Sequence, residues 1–175
     1  MRQIVGSDCC KGQYMTIRHA NNNDHDAVWK ILEPMIRAGE TYTLPREMSR
    51  EDAMEYWFSP EKETFVWEEN GMVLGTYFLK ANQRGGGAHV VNCGYVTLAA
   101  AQGRGIARAM CLHSLGRAKE RGFRAMQFNF VVSTNERAVK LWMSLGFETV
   151  GRLPGAFEHP EKGFVDALVM YRRLA

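Results

Sequence analysis

Gln102-Gly103-Arg104-Gly105-Ile106-Ala107 follows a long strand pattern, His89 to Ala100, and opens a helix pattern that runs to about Arg121 and closes at Gly122. Physically this is an anion site. Gly103 and Gly105 remove side chains, so backbone N–H groups can approach a phosphate closely. The helix start adds unpaired donors and partial positive charge. Arg104 and Arg108 add full charges. The same hexapeptide also fits a tight strand-to-helix turn with no ligand. Two other phosphate motifs fit worse: no Gly-Lys-Ser/Thr tripeptide occurs, and a dinucleotide fingerprint needs a third glycine where Arg108 stands.

Upstream of this stretch, Met15-Thr16-Ile17-Arg18 alternates as a first strand. Val28, Ile31, Leu32, Met35 and Ile36 recur at helical spacing, with Pro34 inside the run and Gly39 ending it. Ser49-Arg50-Glu51-Asp52 fits a capping box before a short helix to Phe58. Strand patterns at Glu63 to Glu68 and Met72 to Leu79 flank Asn70-Gly71, a hairpin signal. Gly94 interrupts the long strand, which predicts a bulge or a close approach of another chain or ligand. Downstream, residues 124–132 form an apolar strand. Ser133-Thr134-Asn135-Glu136 offers a second capping box. Ala138, Leu141, Trp142 and Leu145 line a helix face ended by Gly146, and strands near 148–153 and 164–173 finish the chain. The order β α α β β β α β α β β defines an α/β domain over 14–175, preceded by a leader at 1–13.

The chain has 175 residues, enough for one domain with a real core. Apolar residues make up 46% and charged residues 23%, which excludes disordered and collagen-like chains. The net charge of +3 is too small to argue for nucleic acid. No apolar run approaches the roughly 20 residues of a membrane helix, and no secretory h-region is present. The four cysteines, Cys9, Cys10, Cys93 and Cys111, form no C-x-x-C pair. We expect a reducing cytoplasm and no metal site.

Gln102-x-x-Gly105-x-Ala107 resembles the pyrophosphate-binding signature of the GCN5-related N-acetyltransferases (GNAT). Asn135-x-x-Ala138-x-x-Leu141-Trp142-x-x-x-Gly146-Phe147 resembles the family's second cofactor-side motif, at matching spacing. Asn92-Cys93-Gly94-Tyr95, Phe128-Asn129-Phe130-Val131, Thr134-Asn135 and Lys162-Gly163-Phe164-Val165-Asp166 are similar to a subgroup that includes fungal acetyltransferases acting on azetidine-2-carboxylate and related proline analogues.

The resemblance implies a mixed sheet of about seven strands flanked by about four helices, with parallel strands 89–100 and 124–132 splayed apart. Acetyl-CoA, as co-substrate, would lie in that gap. Backbone groups of Val96, Thr97 and Leu98 would pair with its pantetheine arm. The N–H of Leu98 would polarise the thioester carbonyl. Gln102, Gly103, Arg104, Gly105, Ile106 and Ala107 would hold the pyrophosphate, and Asn135 the pantetheine or thiolate side. An acceptor amine would attack directly, in a ternary complex.

Two departures from the family pattern matter. Trp142 stands where many members carry a Tyr acid, and the first splayed strand carries Asn92 and no general-base Glu. An amide takes no proton at neutral pH, so Asn92 is expected to orient an amine or a water. Structural pairing of Asn92 and Asn129 on strands, and simple helix capping by Asn135, are equally simple readings. The loop from Glu40 to Pro45 is the candidate lid, with Glu40, Thr41, Asn92, Tyr95 and Asn129 as acceptor-side residues; Pro154 to Gly163 is a second candidate edge. The implied activity is acetyl transfer to a small-molecule amine, an amino acid or its analogue, in a cytoplasmic homodimer without nucleic-acid or membrane partners. A protein N-terminal or lysine acetyltransferase and a non-catalytic acyl-CoA sensor are the rivals.

Overall fold

A computed structural model describes residues 14–174. The leader expected at 1–13 lies outside them. The chain order is β1 (Met15–His19), α1 (His25–Ala38), α2 (Arg50–Trp57), β2 (Glu63–Glu69), β3 (Met72–Ala81), β4 (Val90–Thr97), α3 (Ile106–Glu120), β5 (Ala125–Val132), α4 (Glu136–Ser144), β6 (Glu148–His159) and β7 (Gly163–Arg173). The seven strands form one sheet in the order β1-β2-β3-β4-β5-β7-β6. Only β4 and β5 pair in parallel. The α/β class and the mixed seven-stranded sheet are as the sequence indicates.

Local chemistry sets the element ends. Asn70 and Gly71 take φ of 51° and 80°, the left-handed pair of a two-residue hairpin turn. Ser49 accepts a hydrogen bond from the Asp52 N–H at 3.0 Å, so it caps α2. Helix α1 continues through Pro34 and stops at Gly39, whose φ is 65°.

Side chains alternate across the sheet, so each face builds its own core. Helices α1 and α2 cover one face, where Val28, Leu32, Trp57, Val66 and Phe78 are buried together. Helices α3 and α4 cover the other, over Tyr77, Val91, Met110, Met126 and Met170. The Trp57 indole N–H donates to Thr76 Oγ1 at 2.9 Å, and Thr76 in turn donates to the Phe65 carbonyl.

The parallel pair is short. Val90 faces Ala125 and Val91 faces Met126, and there the pairing ends. The bulge anticipated at Gly94 is absent, because β3 and β4 keep one register from Gly75–Thr97 to Ala81–Val91. The crowding at Gly94 comes from the chain's own side chains: a Cβ there would lie 2.8 Å from the Phe78 ring and 3.0 Å from the Tyr42 hydroxyl. The irregularity lies on β5, between Phe128 and Val131, opposite β7. That extra residue bends β5 away from β4 and opens the sheet. Strand β4 is also shorter than the 89–100 expected, because Ala99–Ala101 turns into a single 3-10 turn. Strand β6 is longer than its expected 148–153, so most of Pro154 to Gly163 belongs to a β6–β7 hairpin.

Candidate active site

The opened sheet leaves a cleft of about 940 Å³ that runs from the α1–α2 loop, through the gap beside β4, to the start of α3. At the α3 end, Gly103 and Gly105 take φ of 81° and 80°, and no side chain caps the helix. Left-handed backbone without a Cβ turns the chain tightly and leaves the first N–H groups of α3 pointing outward. Gln102, Gly103, Gly105, Ile106, Ala107 and Arg108 line this end of the cleft.

Arg104 does not line the cleft. Its guanidinium reaches the Glu69 carboxylate at 2.8 and 2.5 Å, on the last residue of β2. The Glu69 side chain is only 5% exposed. The charge assigned to phosphate from the sequence is therefore engaged in holding the glycine loop to the β2–β3 hairpin. Arg137, which the sequence reading passed over, does line the cleft, and its Nη1 lies 3.4 Å from Gln102 Oε1. Only its place two residues into α4, after the motif's Asn135, could have signalled it.

The middle of the cleft is a strand edge. The Leu98 N–H donates to the Leu74 carbonyl, and the Val90 carbonyl accepts from the Asn82 N–H, so Leu98 and Val90 both face β3. In an antiparallel ladder, residues alternate between bonding the partner and facing away. Val96, paired with Thr76, therefore bonds β3 as Leu98 does, while Cys93, Tyr95 and Thr97 turn N–H and C=O toward the gap. The oxyanion role expected of Leu98 thus meets an amide that is already committed. The Tyr42 hydroxyl, from the α1–α2 loop, donates to the Tyr95 carbonyl at 3.2 Å. Burial pushes the Tyr42 phenol well above its ordinary range, so it stays a neutral donor.

The other end has a polar floor. Asn92 Nδ2 donates to the Gln127 carbonyl at 2.8 Å, bridging β4 and β5 just past the last paired residues. That carbonyl can only accept, which assigns the amide and leaves Oδ1 as the remaining acceptor of a side chain that lines the cleft. Gln127 Nε2 donates to Asn129 Oδ1 at 2.8 Å, and Asn129 Nδ2 to Asn82 Oδ1 at 2.6 Å. Strands disfavour Asn, so such a run of side-chain amides calls for a reason beyond packing. Glu40, Thr41 and Tyr42 line the cleft above it. Their loop is strapped down by Arg46 Nε on the Arg37 carbonyl at 2.9 Å and Arg37 Nη1 on the Met48 carbonyl at 3.0 Å.

Tyr95 does not join this floor. Its side chain points to the α3–α4 face, where the hydroxyl meets Ser114 Oγ at 2.6 Å and the ring packs 5.2 Å from Trp142. Its backbone alone borders the gap. Asn135 is the N-cap of α4: its Oδ1 accepts from the Ala138 N–H at 3.3 Å. It also lines the cleft, with Nδ2 as a remaining donor.

A sheet that parts between two parallel strands, beside a glycine loop and an uncapped helix start, is the architecture of an acetyl-CoA-dependent N-acetyltransferase. The chain belongs to the acetyltransferase (GNAT) family, whose family model matches residues 27–147. It is 27% identical over 156 residues to N-acetyltransferase aca1 of Schizosaccharomyces pombe, covering 77% of this chain and 72% of that protein. A solved GCN5-related N-acetyltransferase from Kribbella flavida is similar at 41% identity and a TM-score of 0.87, over 91% of this chain and 97% of that one. The fold is shared with a GNAT superfamily phosphinothricin acetyltransferase from Sinorhizobium meliloti in complex with acetyl-CoA, at 21% identity and a TM-score of 0.81, over 92% and 89% of the two chains. The protein is an acetyl-CoA-dependent acyltransferase. Among the described residues no helix is long and apolar enough to cross a membrane.

Proposed function

We propose that this enzyme acetylates the amine of a small molecule, an amino acid or its analogue, by direct attack within a ternary complex. The observation that carries this reading is the pair of side-chain amides, Asn92 and Asn129, that line the cleft beside a strapped loop, which suits a small polar acceptor better than an extended peptide. Asn92 Oδ1 receives an N–H of the acceptor and turns its lone pair toward the thioester. The amine nitrogen bonds the carbonyl carbon, the C–S bond breaks, and the thiolate leaves and takes a proton from water. The amine proton passes to water, since the floor supplies no carboxylate base.

On the other side of the reacting carbon, the Tyr95 and Thr97 amides face the gap. One of them takes the oxyanion, in place of Leu98. Gln102 and the backbone from Gly103 to Ala107 hold the pyrophosphate, with Arg108 and Arg137 supplying charge. Asn135 Nδ2 hydrogen-bonds the co-substrate arm. The enzyme works in the cytoplasm as a homodimer.

Free-thiol release from acetyl-CoA, measured against amino acids, proline analogues, polyamines, aminoglycosides and short peptides, tests this. Rapid release with small amino acids is expected. Release with peptides alone would overturn the small-molecule acceptor. Full turnover in both Asn92→Ala and Asn135→Ala would overturn the roles given to those amides.

A further inference from the structure

The acceptor end carries positive charge that nothing in the reaction described so far uses. Lys80 on β3 pairs in register with Asn92 on β4, so both side chains stand on the α1–α2 face. Both line the cleft. The Lys80 side chain is 33% exposed, and Glu61 Oε1 lies 3.8 Å from its Nζ. That separation is well beyond the roughly 2.8 Å of a charge-assisted hydrogen bond. Lys62 Nζ sits beside it, 3.3 Å over the Tyr56 ring and 4.4 Å from the centre of Phe78, two rings that wall the cleft. Burial, and then the Lys80 charge, lower the Lys62 ammonium to about 8. Two ammonium groups thus press on each other with Glu61 at the rim, while Glu40 lies across the cleft on the lid loop.

We propose that Lys80 binds the carboxylate of the acceptor, so that the substrate is an amine with a carboxylate on the adjoining carbon. The inference rests on the small-amine reading above. Asn92 is fixed by Gln127, which leaves an acceptor oxygen on a side chain that lines the cleft, and an ammonium donor stands across the strand pair from it. An amine N–H and a carboxylate on neighbouring atoms complement those two groups in that order. A neutral amine would satisfy Asn92 and leave Lys80 with only Glu61, 3.8 Å away. A polyamine would bring positive charge against two lysines.

The test compares matched acceptors in thiol release: proline, prolinamide and pyrrolidine, and in parallel methionine, methioninamide and 3-(methylthio)propylamine. The wild type is expected to favour each acid over its amide in kcat/KM by about 10-fold or more, the usual worth of a charged hydrogen bond. Lys80→Gln should lose most of that preference by slowing the acids, with the amides little changed. Lys80→Arg should restore it. A Lys80→Gln enzyme with the wild-type acid-to-amide ratio would overturn the proposal, as would a wild type that prefers the amides. In either case turnover of amines would leave the small-amine reading standing. No thiol release with any of the six, or with the wider amine panel, would overturn both.

Discussion

Replacing Arg104 by alanine should cost heat stability before it costs affinity for acetyl-CoA. The Glu69 side chain is 5% exposed and Arg104 is 46% exposed. Breaking a fully buried ion pair costs roughly 3–5 kcal/mol and a surface pair about 0–1 kcal/mol, so a half-buried pair lies near 2 kcal/mol. For a chain of this size that lowers Tm by about 4–8 °C. Thermal melts followed by circular dichroism read the stability, and thiol release gives KM at low and high salt. Because the guanidinium is held by Glu69 and Arg104 does not line the cleft, KM for acetyl-CoA in Arg104→Ala should stay within about threefold of wild type. An unchanged Tm with a large, salt-sensitive rise in KM would refute the reasoning, because Arg104 would then be a phosphate ligand.

Gly94→Ala should cost about 1–3 kcal/mol by overpacking against Phe78 and should displace the Tyr42 hydroxyl, lowering kcat; denaturant melts and thiol release measure the two effects. Thr76→Val should cost about 1–3 kcal/mol in urea unfolding, because it leaves the buried Trp57 N–H without its acceptor. The Arg18 guanidinium holds the buried Asp24 carboxyl below its ordinary value of 3.8, so the pair's stabilisation is present above that pH and is lost as pH falls through the native value. Asp24→Asn should therefore be less stable than wild type at pH 7, with the gap closing below about pH 4 in melts across a pH series.

Much of the fold was legible because single residues dictate backbone. Asn70-Gly71 can make its hairpin, and Gly103 and Gly105 their left-handed turn, with little help from the rest of the chain. The two motifs around Gln102 and Asn135 gave the family for the same reason. What escaped depends on pairing across the sheet. Whether the Leu98 or the Tyr95 amide faces the gap is a matter of parity against β3, which no local pattern encodes. A bulge was expected at Gly94 on β4, yet the irregular residue lies on β5, set by its register with β7. Arg104 looked like a phosphate ligand because its true partner, Glu69, lies 35 residues away. Lys80 went unnoticed because a lysine near a strand end is usually just solvated.

The β5 bulge means that the gap exists before anything fills it. Past Val91 and Met126 the edges of β4 and β5 no longer pair with each other, the kind of template that invites foreign chains to pair. Acetyl-CoA bound as proposed would complete the sheet and so would act on the lifetime of the protein as well as on its turnover. At a concentration 100 times its Kd, a ligand that binds only the folded state adds about 2.7 kcal/mol. Resistance to heat and to proteolysis would then rise and fall with the acetyl-CoA supply, making the enzyme's abundance a readout of the metabolite it consumes.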